Sequence, residues 1–335
     1  MVFWGEFFEY KWKYFVSYLL KGFYKNIKNA SAEVCFVTRD DTKGWILDAK
    51  CQRLSGNMDV KTTIHYSSNF KKLPKARAYF FSHYKFFAKA LRYNFFLWNV
   101  KSVVLFTHPS WNKAYSERHI GDILRTASKI ICLNSAITEE LKNIGIPSEK
   151  LVVFHIASDP EVFTHHERGN GKIGFCMNYY ERKNPDLMFD LVKNMQEYEF
   201  ILIGGNWDKY KKFDELIKLN NFKYYNGVDY DQYPSLYRQM DVFVSTSFLE
   251  GGPVPLLEAM LSNVVPVVSN TGFCPDIVEH GKNGFPFDTS ANYKEVRNLI
   301  IKALSFKENV RPYVTDYSWK RYAEKIQNIY YPDTD

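Results

Sequence analysis

Short apolar runs alternate with longer, helix-length stretches along most of the chain. In the first half, runs rich in β-branched or aromatic residues predict strands at Ala32–Thr38, Thr62–Tyr66, Ala76–Phe81, Val103–Thr107, Lys129–Leu133 and Leu151–His155. Helices are predicted over His83–Leu97 and Ser135–Gly145 in the same half. Apolar strands separated by helices are typical of βαβ units around a buried parallel sheet.

The alternation starts again after a polar, glycine-containing stretch at 165–172, which we interpret as a linker. Strands are then predicted at Ile173–Met177, Phe200–Ile203, Lys223–Tyr225, Val242–Ser245 and Val264–Ser269. The predicted helices are Pro185–Met195, Lys211–Leu219, Tyr233–Gln239, Pro253–Leu261 and, at the end of the chain, Trp319–Tyr330. An aromatic amphipathic helix is also predicted over Phe7–Ile27.

The expected fold class is therefore α/β, with two Rossmann-like, doubly wound parallel-sheet domains. A length of 335 residues suits two domains. We place them at 1–160 and 161–315, and expect the helix within 316–335 to return toward the first domain. Ligands of such sheets bind at the carboxyl ends of the strands, so we expect a ligand in the cleft between the domains.

Composition restricts the class of protein. No uncharged apolar run approaches the roughly 20 residues that a membrane-spanning helix needs. The apolar N-terminal stretch carries four charged residues, which is not typical of a signal peptide. The five cysteines are scattered without a C-x-x-C pair, which argues against a disulfide framework or a cysteine zinc site and predicts a cytoplasmic location.

Positive charge is concentrated in the first half of the chain. Residues 1–160 carry a net charge of +11 and residues 161–335 carry −4; Val60–Ser116 contains ten basic and fifteen aromatic residues but no acidic one. This segment should attract anions such as nucleic acid, lipid headgroups or a phosphorylated substrate, unless it is only a solvated basic face. Lys85, Lys89 and Arg92 share one helical face, which suggests contact with an anionic membrane surface; core packing with a solvated lysine row is the alternative.

The segment Ser245–Ala259 carries the most informative pattern. A strand is followed by Gly251, Gly252 and Pro253, and then by a helix whose first amides can bind phosphate oxygens. Glu250 precedes this anion site and Glu258 lies inside the helix. A carboxylate repels phosphate, so each glutamate suits hydroxyl groups beside the phosphates, a sugar on one side and a ribose on the other. The alternative is a dipole-compensating glutamate and an exposed helical one.

With Glu250 and Glu258 as an E-x7-E motif, this segment resembles the retaining, GT-B-fold glycosyltransferases of the family-4 type. The resemblance is strong over about 130–290 and weak over 1–100. It implies two Rossmann-like domains facing a cleft and transfer of a sugar from a nucleotide diphosphate sugar to an acceptor hydroxyl, with retention of configuration. It implies no metal and no other cofactor. Asn263 stands where the family usually has glycine, and Asn tolerates the same left-handed conformation.

The resemblance also assigns roles to residues. Glu250 would contact the donor sugar, Glu258 the ribose, and Lys183 the diphosphate, while His108 would face the sugar from the first domain. The expected catalytic residues are His108, Glu250 and Lys183. The expected donor-binding residues are Asn178, Arg182, Gly227, Val228, Gly251, Gly252, Pro253, Val254 and Glu258.

One departure affects the diphosphate site. Met177 and Asn178 replace the Gly-Arg pair that precedes the lysine in the family, so the usual arginine is absent. Arg182 is the candidate substitute, although side chains of adjacent residues need not face the same way. Asn184 and Pro185 are expected to cap the next helix and so to fix Lys183.

The triplet Asp229-Tyr230-Asp231 matches the D-x-D metal signature of a different transferase fold, but it precedes the predicted Tyr233–Gln239 helix, where Asp commonly caps, so we expect no metal there. The expected function is sugar transfer to a glycan or lipid-linked acceptor in cell-surface polysaccharide or lipopolysaccharide assembly, at the cytoplasmic face of the membrane. A GT-B-shaped binding protein and a sugar-nucleotide epimerase or hydrolase remain alternatives. No nucleic-acid module is recognised, so a nucleic-acid partner is not expected.

Overall fold

The structure is a computed structural model, which describes residues 30–44, 46–107 and 116–332. The described residues form two compact units. One contains the residues up to Phe154 together with those from Trp319 onward, and the other contains His155–Ser318. His108 and the predicted N-terminal helix lie outside the described residues.

The unit boundary differs from the predicted one. The chain passes between the units at Phe154–His155, so residue 160 and the predicted linker at 165–172 both belong to the second unit. The N–H groups of Gly169 and Gly171 donate to the carboxylate of Asp241 at 3.0 and 2.7 Å. These bonds hold the polar, glycine-containing stretch against its own unit, which its composition did not indicate.

The first unit is built on a parallel sheet. Its described strands are β1 (Ala32–Thr38), β2 (Thr62–Tyr66), β3 (Ala76–Phe81), β4 (Lys101–Phe106), β5 (Lys129–Cys132) and β6 (Leu151–Val153), in the order β2-β1-β3-β4-β5-β6. Its described helices are α1 (Ile46–Gly56), α2 (Tyr84–Leu91), α3 (Glu117–Leu124), α4 (Ser135–Asn143) and, from the end of the chain, α11 (Trp319–Tyr330). The predicted bounds of β1, β2 and β3 are confirmed, and α1 and α3 were not predicted.

Helix α2 is shorter than the predicted His83–Leu97. Asn94 is buried, and its side-chain amide donates to the carbonyls of Ala90 and Phe70 at 2.8 Å, which ends the helix. Phe86 and Phe87 lie in the core of the unit, while Lys85 is partly exposed. The aromatic residues of this helix therefore pack against protein. Within the described ranges, no helix is both long and apolar enough to cross a bilayer.

The C-terminal helix α11 packs on the first unit. Tyr330 is buried, and its hydroxyl donates to the carbonyl of Tyr79 in β3 at 2.7 Å. The backbone N–H of Asp59, just after α1, donates to the side chain of Gln327 at 3.0 Å. The end of the chain thus completes the layer of helices over the first sheet.

The second unit repeats the architecture. Its described strands are β7 (Ile173–Cys176), β8 (Phe200–Ile203), β9 (Phe222–Tyr225), β10 (Val242–Ser245), β11 (Val265–Ser269) and β12 (Phe285–Phe287), in the parallel order β12-β11-β10-β7-β8-β9. Its described helices are α5 (Pro185–Asn194), α6 (Phe213–Leu216), α7 (Tyr233–Tyr237), α8 (Val254–Leu261), α9 (Cys274–Ile277) and α10 (Tyr293–Leu304). The prediction missed β12, α9 and α10 and made α6 too long.

The strand order places the candidate residues. β7 pairs with β8 on one side and with β10 on the other, so the direction of chain progression reverses between β7 and β10. The loops that follow these two strands leave the same edge of the sheet side by side. Such a reversal is where open α/β sheets bind ligands. The loop after β7 carries Lys183, and the loop after β10 carries Glu250.

Candidate functional site

The loops after β7 and β10 are joined by hydrogen bonds. The N–H of Phe248 donates to the carbonyl of Arg182 at 2.8 Å, and the hydroxyl of Thr246 donates to the carbonyl of Lys183 at 2.7 Å. Both acceptors belong to a 3-10 turn over Glu181–Lys183. The backbone that carries the two basic side chains is therefore fixed against the segment that carries Glu250.

The expected cap at Asn184 is confirmed. Asn184 adopts a left-handed conformation with φ of 53°, and its side chain accepts from the N–H of Leu187 at 3.4 Å. Pro185 occupies the first position of α5. Because Asn184 redirects the chain so sharply, the 3-10 turn before it stays outside α5 and can direct its side chains toward the neighbouring loop.

Arg182 and Lys183 both contact the carboxylate of Glu250. Lys183 Nζ donates to Oε1, and Arg182 Nη1 lies 3.1 Å from Oε2. Ser247 Oγ also donates to Oε1, at 2.7 Å. The side chain of Glu250 is only 8% exposed, against 14% for Lys183 and 43% for Arg182. The two adjacent basic residues therefore face the same way, which the sequence left undecided.

The electrostatics of this cluster keep Glu250 charged. Burial favours the neutral acid, but the charge and hydrogen bond of Lys183, the hydroxyl of Ser247 and the charge of Arg182 outweigh it, so the pKa of Glu250 is lowered. At neutral pH the site therefore contains one buried carboxylate held by two cations. An anionic ligand that binds the cations must compete with this carboxylate.

The backbone of Glu250 is held from the loop after β11. Its N–H donates to the hydroxyl of Thr271 at 3.0 Å. Gly272 follows, with φ of +61°, and a Cβ there would lie 2.8 Å from the Cβ of Glu250 and 3.0 Å from the carbonyl oxygen of Gly251. Position 272 thus requires glycine both for its backbone conformation and for the close approach of two loops.

Replacing Gly272 by alanine should destabilise the protein by about 2–3 kcal/mol and displace Glu250, since strain and crowding act together. Thermal unfolding measures the loss of stability, and a crystal structure of the variant measures the displacement of Glu250. Gly281→Ala is the matched control, because Gly281 has φ of +74° but no atom within 4 Å of the added Cβ. Equal destabilisation by both variants would contradict the crowding at Glu250.

Glu258 lies in α8 and is only 2% exposed, so the alternative of an exposed helical glutamate is wrong. Its Oε1 accepts from the hydroxyl of Tyr230 at 2.6 Å, and its Oε2 accepts from the hydroxyl of Tyr237 at 3.0 Å. Burial and the nearby Cys176 and Glu258 raise the pKa of Tyr237, so this hydroxyl remains a donor. A buried carboxylate needs such donors, and two tyrosines supply them.

The other residues that the resemblance assigns to donor binding lie on neighbouring loops of the same unit. Asn178 follows β7, and its side chain accepts from the N–H of Gly205, after β8, at 2.6 Å. Gly227 has φ of +64° and, with Val228, follows β9. Helix α8 begins at Val254 rather than at the predicted Pro253, and no side-chain hydrogen bond caps its N-terminus at Pro253.

Asp229 precedes a 3-10 turn over Tyr230–Gln232, but its side chain makes no capping bond, so the capping interpretation is wrong. The described ranges hold no cluster of three or more His, Cys, Asp or Glu residues arranged to bind a metal ion. Asn263 adopts the left-handed conformation expected of it, with φ of 63°, and its side chain binds the carbonyl of His166 and the N–H of Val310.

Sequence reasoning missed the groups that hold the two glutamates. Ser247 and Thr271 bind Glu250, and Tyr230 and Tyr237 bind Glu258. Ser247 lies three residues before Glu250 in the segment Ser245–Ala259, so the sequence could have indicated it as a hydrogen-bond partner of Glu250. Tyr230 is the middle residue of the D-x-D triplet, which we interpreted only through its two aspartates.

The comparison with known protein families matches a region that lies mostly in the second unit. Residues 161–326, just under half of the chain, match the family described as glycosyl transferases group 1. This region therefore resembles a group 1 glycosyl transferase domain. The matched region includes Lys183, Glu250 and Glu258.

Spore coat protein SA of Bacillus subtilis is 24% identical over 170 residues, which are 44% of this chain and 45% of that protein. A glycogen synthase of Chlamydia pneumoniae is 27% identical over 224 residues, 57% of this chain and 46% of that enzyme. The chain thus matches less than half the length of these curated relatives.

Solved structures extend the likeness to both units. Anabaena HepE, in a complex with UDP and glucose, has a TM-score of 0.70 at 14% identity, covering 89% of this chain and 98% of that one. The lipopolysaccharide outer core galactosyltransferase WaaB has a TM-score of 0.68 at 13% identity, covering 90% and 99%. The α/β fold with two Rossmann-like units is GT-B. This agrees with the fold class that the sequence predicted.

Proposed function

We propose that this protein is a retaining glycosyltransferase that transfers a sugar from a nucleotide diphosphate sugar to a hydroxyl group, without a metal ion. One observation carries the proposal above the others. Lys183 and Arg182, from the loop after β7, converge with Glu250, from the loop after β10, at the edge of the sheet where the strand order reverses. Two cations and a carboxylate at that place suit a ligand that has both phosphates and hydroxyls.

The diphosphate would bind Lys183 and Arg182. Both cations already point to one anion, so the donor's phosphates can replace the carboxylate of Glu250 as their partner. Arg182 would then supply the second positive charge, which in other family members comes from the arginine that this chain lacks. As the bond between the sugar and the diphosphate breaks, negative charge grows on the diphosphate, and fixed cations stabilise it without a metal. Backbone amides of Gly251 and Gly252 and the start of α8 would assist.

Glu250 would bind hydroxyl groups of the donor sugar once its cations turn to the phosphates. Its low pKa keeps it an acceptor of hydrogen bonds at neutral pH. Ser247 continues to donate to its Oε1, and the resemblance assigns this residue to the donor sugar, so we assign it sugar binding rather than nucleophilic attack. We therefore favour attack of the acceptor from the face that the leaving group vacates, which retains configuration.

The nucleoside would bind on the other side of the phosphates. Glu258 would accept hydrogen bonds from the ribose, and the backbone of Gly227 and Val228, with Asn178, would border the base. The acceptor, a glycan or a lipid-linked saccharide, would bind the basic first unit, with His108 facing the donor sugar. A role in cell-surface polysaccharide or lipopolysaccharide assembly at the cytoplasmic membrane face completes the proposal.

A thermal-shift panel of UDP, GDP and their glucose and mannose derivatives, each with EDTA, tests the donor class. A ligand at a hundred times its dissociation constant stabilises the folded state by about 2.7 kcal/mol, so the matching nucleotide should raise Tm by several degrees. EDTA should leave the shift unchanged. The absence of a shift with every compound would overturn the proposal, and analysis of the product anomer separates a transferase from an epimerase or a hydrolase.

A further inference from the structure

The carboxylate of Glu258 lies between two tyrosine hydroxyls in very different surroundings. Tyr237 is 0% exposed, whereas Tyr230 is 41% exposed, although its hydroxyl reaches a carboxylate that is itself only 2% exposed. The Tyr230 contact is also the shorter of the two, 2.6 Å against 3.0 Å. Tyr230 is therefore the surface residue that occupies Oε1 of a buried carboxylate.

The two tyrosines also differ in how firmly they are held. Tyr237 lies in α7, packs edge-to-face on Phe163 with ring centroids 5.6 Å apart, and donates to Pro255 as well as to Glu258. Tyr230 belongs to a turn of three residues with exposed aspartates on both sides. The ring of Tyr230 also packs edge-to-face on Phe163, with centroids 5.9 Å apart, but Tyr230 is 41% exposed, so moving it disturbs the core less than moving the buried Tyr237 would.

Tyr230 lies on the exposed side of the buried Glu258, so a ribose hydroxyl that takes the same position on Oε1 must displace the tyrosine hydroxyl. The geometry points to Tyr230 as a gate on the nucleotide site, whose hydroxyl occupies Oε1 of Glu258 until a ribose hydroxyl of a nucleoside diphosphate replaces it. This inference rests on the proposed function, in which Glu258 binds the ribose. Tyr237 keeps Oε2 throughout and holds the carboxylate in position.

The gate has an energetic consequence. A hydrogen bond to a charged group is among the stronger ones in proteins, so nucleotide binding must first break the bond between Tyr230 and Glu258. Without the tyrosine hydroxyl, Oε1 lacks this donor until the ribose supplies one. Removal of the hydroxyl should therefore weaken the unliganded fold and strengthen nucleotide binding at the same time.

The test compares Tyr230→Phe with the wild type by calorimetric titration of UDP and GDP, and of the 2′,3′-dideoxy form of whichever binds. We expect Y230F to bind the ribonucleotide about tenfold more tightly, and to show no gain for the dideoxy form. The unliganded variant should melt at a lower temperature, and the nucleotide should raise its Tm by more than it raises that of the wild type.

Tyr233→Phe is the matched control. Tyr233 is the next tyrosine along, its ring lies 5.2 Å from that of Tyr230, and the described contacts include no hydrogen bond from its hydroxyl to Glu258. Y233F should bind nucleotide like the wild type. Tyr230→Leu repeats the loss of the hydroxyl in a second side chain. Equal or weaker binding by Y230F and Y230L would overturn the gate alone, whereas a wild type that binds neither nucleotide would overturn the proposed function with it.

Discussion

Replacement of Glu250 by glutamine should lower kcat for donor turnover by about 100- to 1000-fold, a loss typical of removing one polar group that acts in the transition state. The amide keeps the size of the side chain but loses its charge and one of its acceptor oxygens. Glutamine can no longer orient sugar hydroxyls with both oxygens. The measurement is release of nucleoside diphosphate from the donor that the thermal-shift panel selects.

The same variant separates the two functions of the site. Because Lys183 and Arg182 lose the carboxylate that competes for them, binding of the nucleoside diphosphate itself should not weaken. The loss should therefore appear in kcat rather than as a higher KM. Glu279→Gln is the control, since Glu279 is an exposed glutamate whose ion pair with Lys282 lies on the surface of the same unit. Turnover by E250Q within threefold of the wild type would contradict the assignment of Glu250.

Replacement of Lys183 by methionine should lower kcat/KM for the donor by about 100-fold or more. A largely buried ammonium group next to the diphosphate acts in a medium of low polarity, where a fixed charge has more effect than it has in water. Arg182→Ala should cost less, because its guanidinium is 43% exposed and more strongly screened. Kinetics and titration with nucleoside diphosphate, monophosphate and free nucleoside give the comparison.

Affinities for the nucleoside diphosphate, the monophosphate and the free nucleoside show which part of the nucleotide Lys183 contacts. The affinity for the nucleoside diphosphate should fall most in Lys183→Met, and that for the free nucleoside should be unchanged. Lys211→Met is the matched control, since Lys211 is 70% exposed and pairs with Asp186 on the surface. A uniform loss across all three compounds would show that K183M damages the fold of the site rather than the diphosphate contact.

Much of the fold follows from the local sequence. The strands β1, β3, β8 and β10 have the predicted bounds because their apolar runs are largely buried in a parallel sheet. The bounds of β2 were predicted as well, although its residues are only partly buried. Helix caps were also predictable where one residue type fits one conformation. Asn184 with Pro185 begins α5, and Asn263 follows α8 in the left-handed conformation.

Other features depend on contacts that no local pattern records. The stretch 165–172 has the composition of a linker but is held within the second unit by Asp241, about 70 residues away. The basic, aromatic segment after Val60 suggested a surface for anions, yet most of its aromatic side chains fill the core of the first unit. Composition gives the content of a segment, whereas the packing of distant segments determines which side chains remain exposed.

The sequence by itself indicated two α/β units and a strand–turn–helix anion site beside Glu250 and Glu258, because strand periodicity and turn chemistry are local properties, whereas the resemblance to family-4 glycosyltransferases added Lys183. Only the tertiary structure decided that Arg182 and Lys183 meet on Glu250, since that depends on the left-handed turn at Asn184 and on backbone bonds to the loop after β10. It also decided that Glu258 is buried under Tyr230 and Tyr237. A side chain's neighbours are set by how loops from different strands fold against one another, and that information is spread over the whole unit.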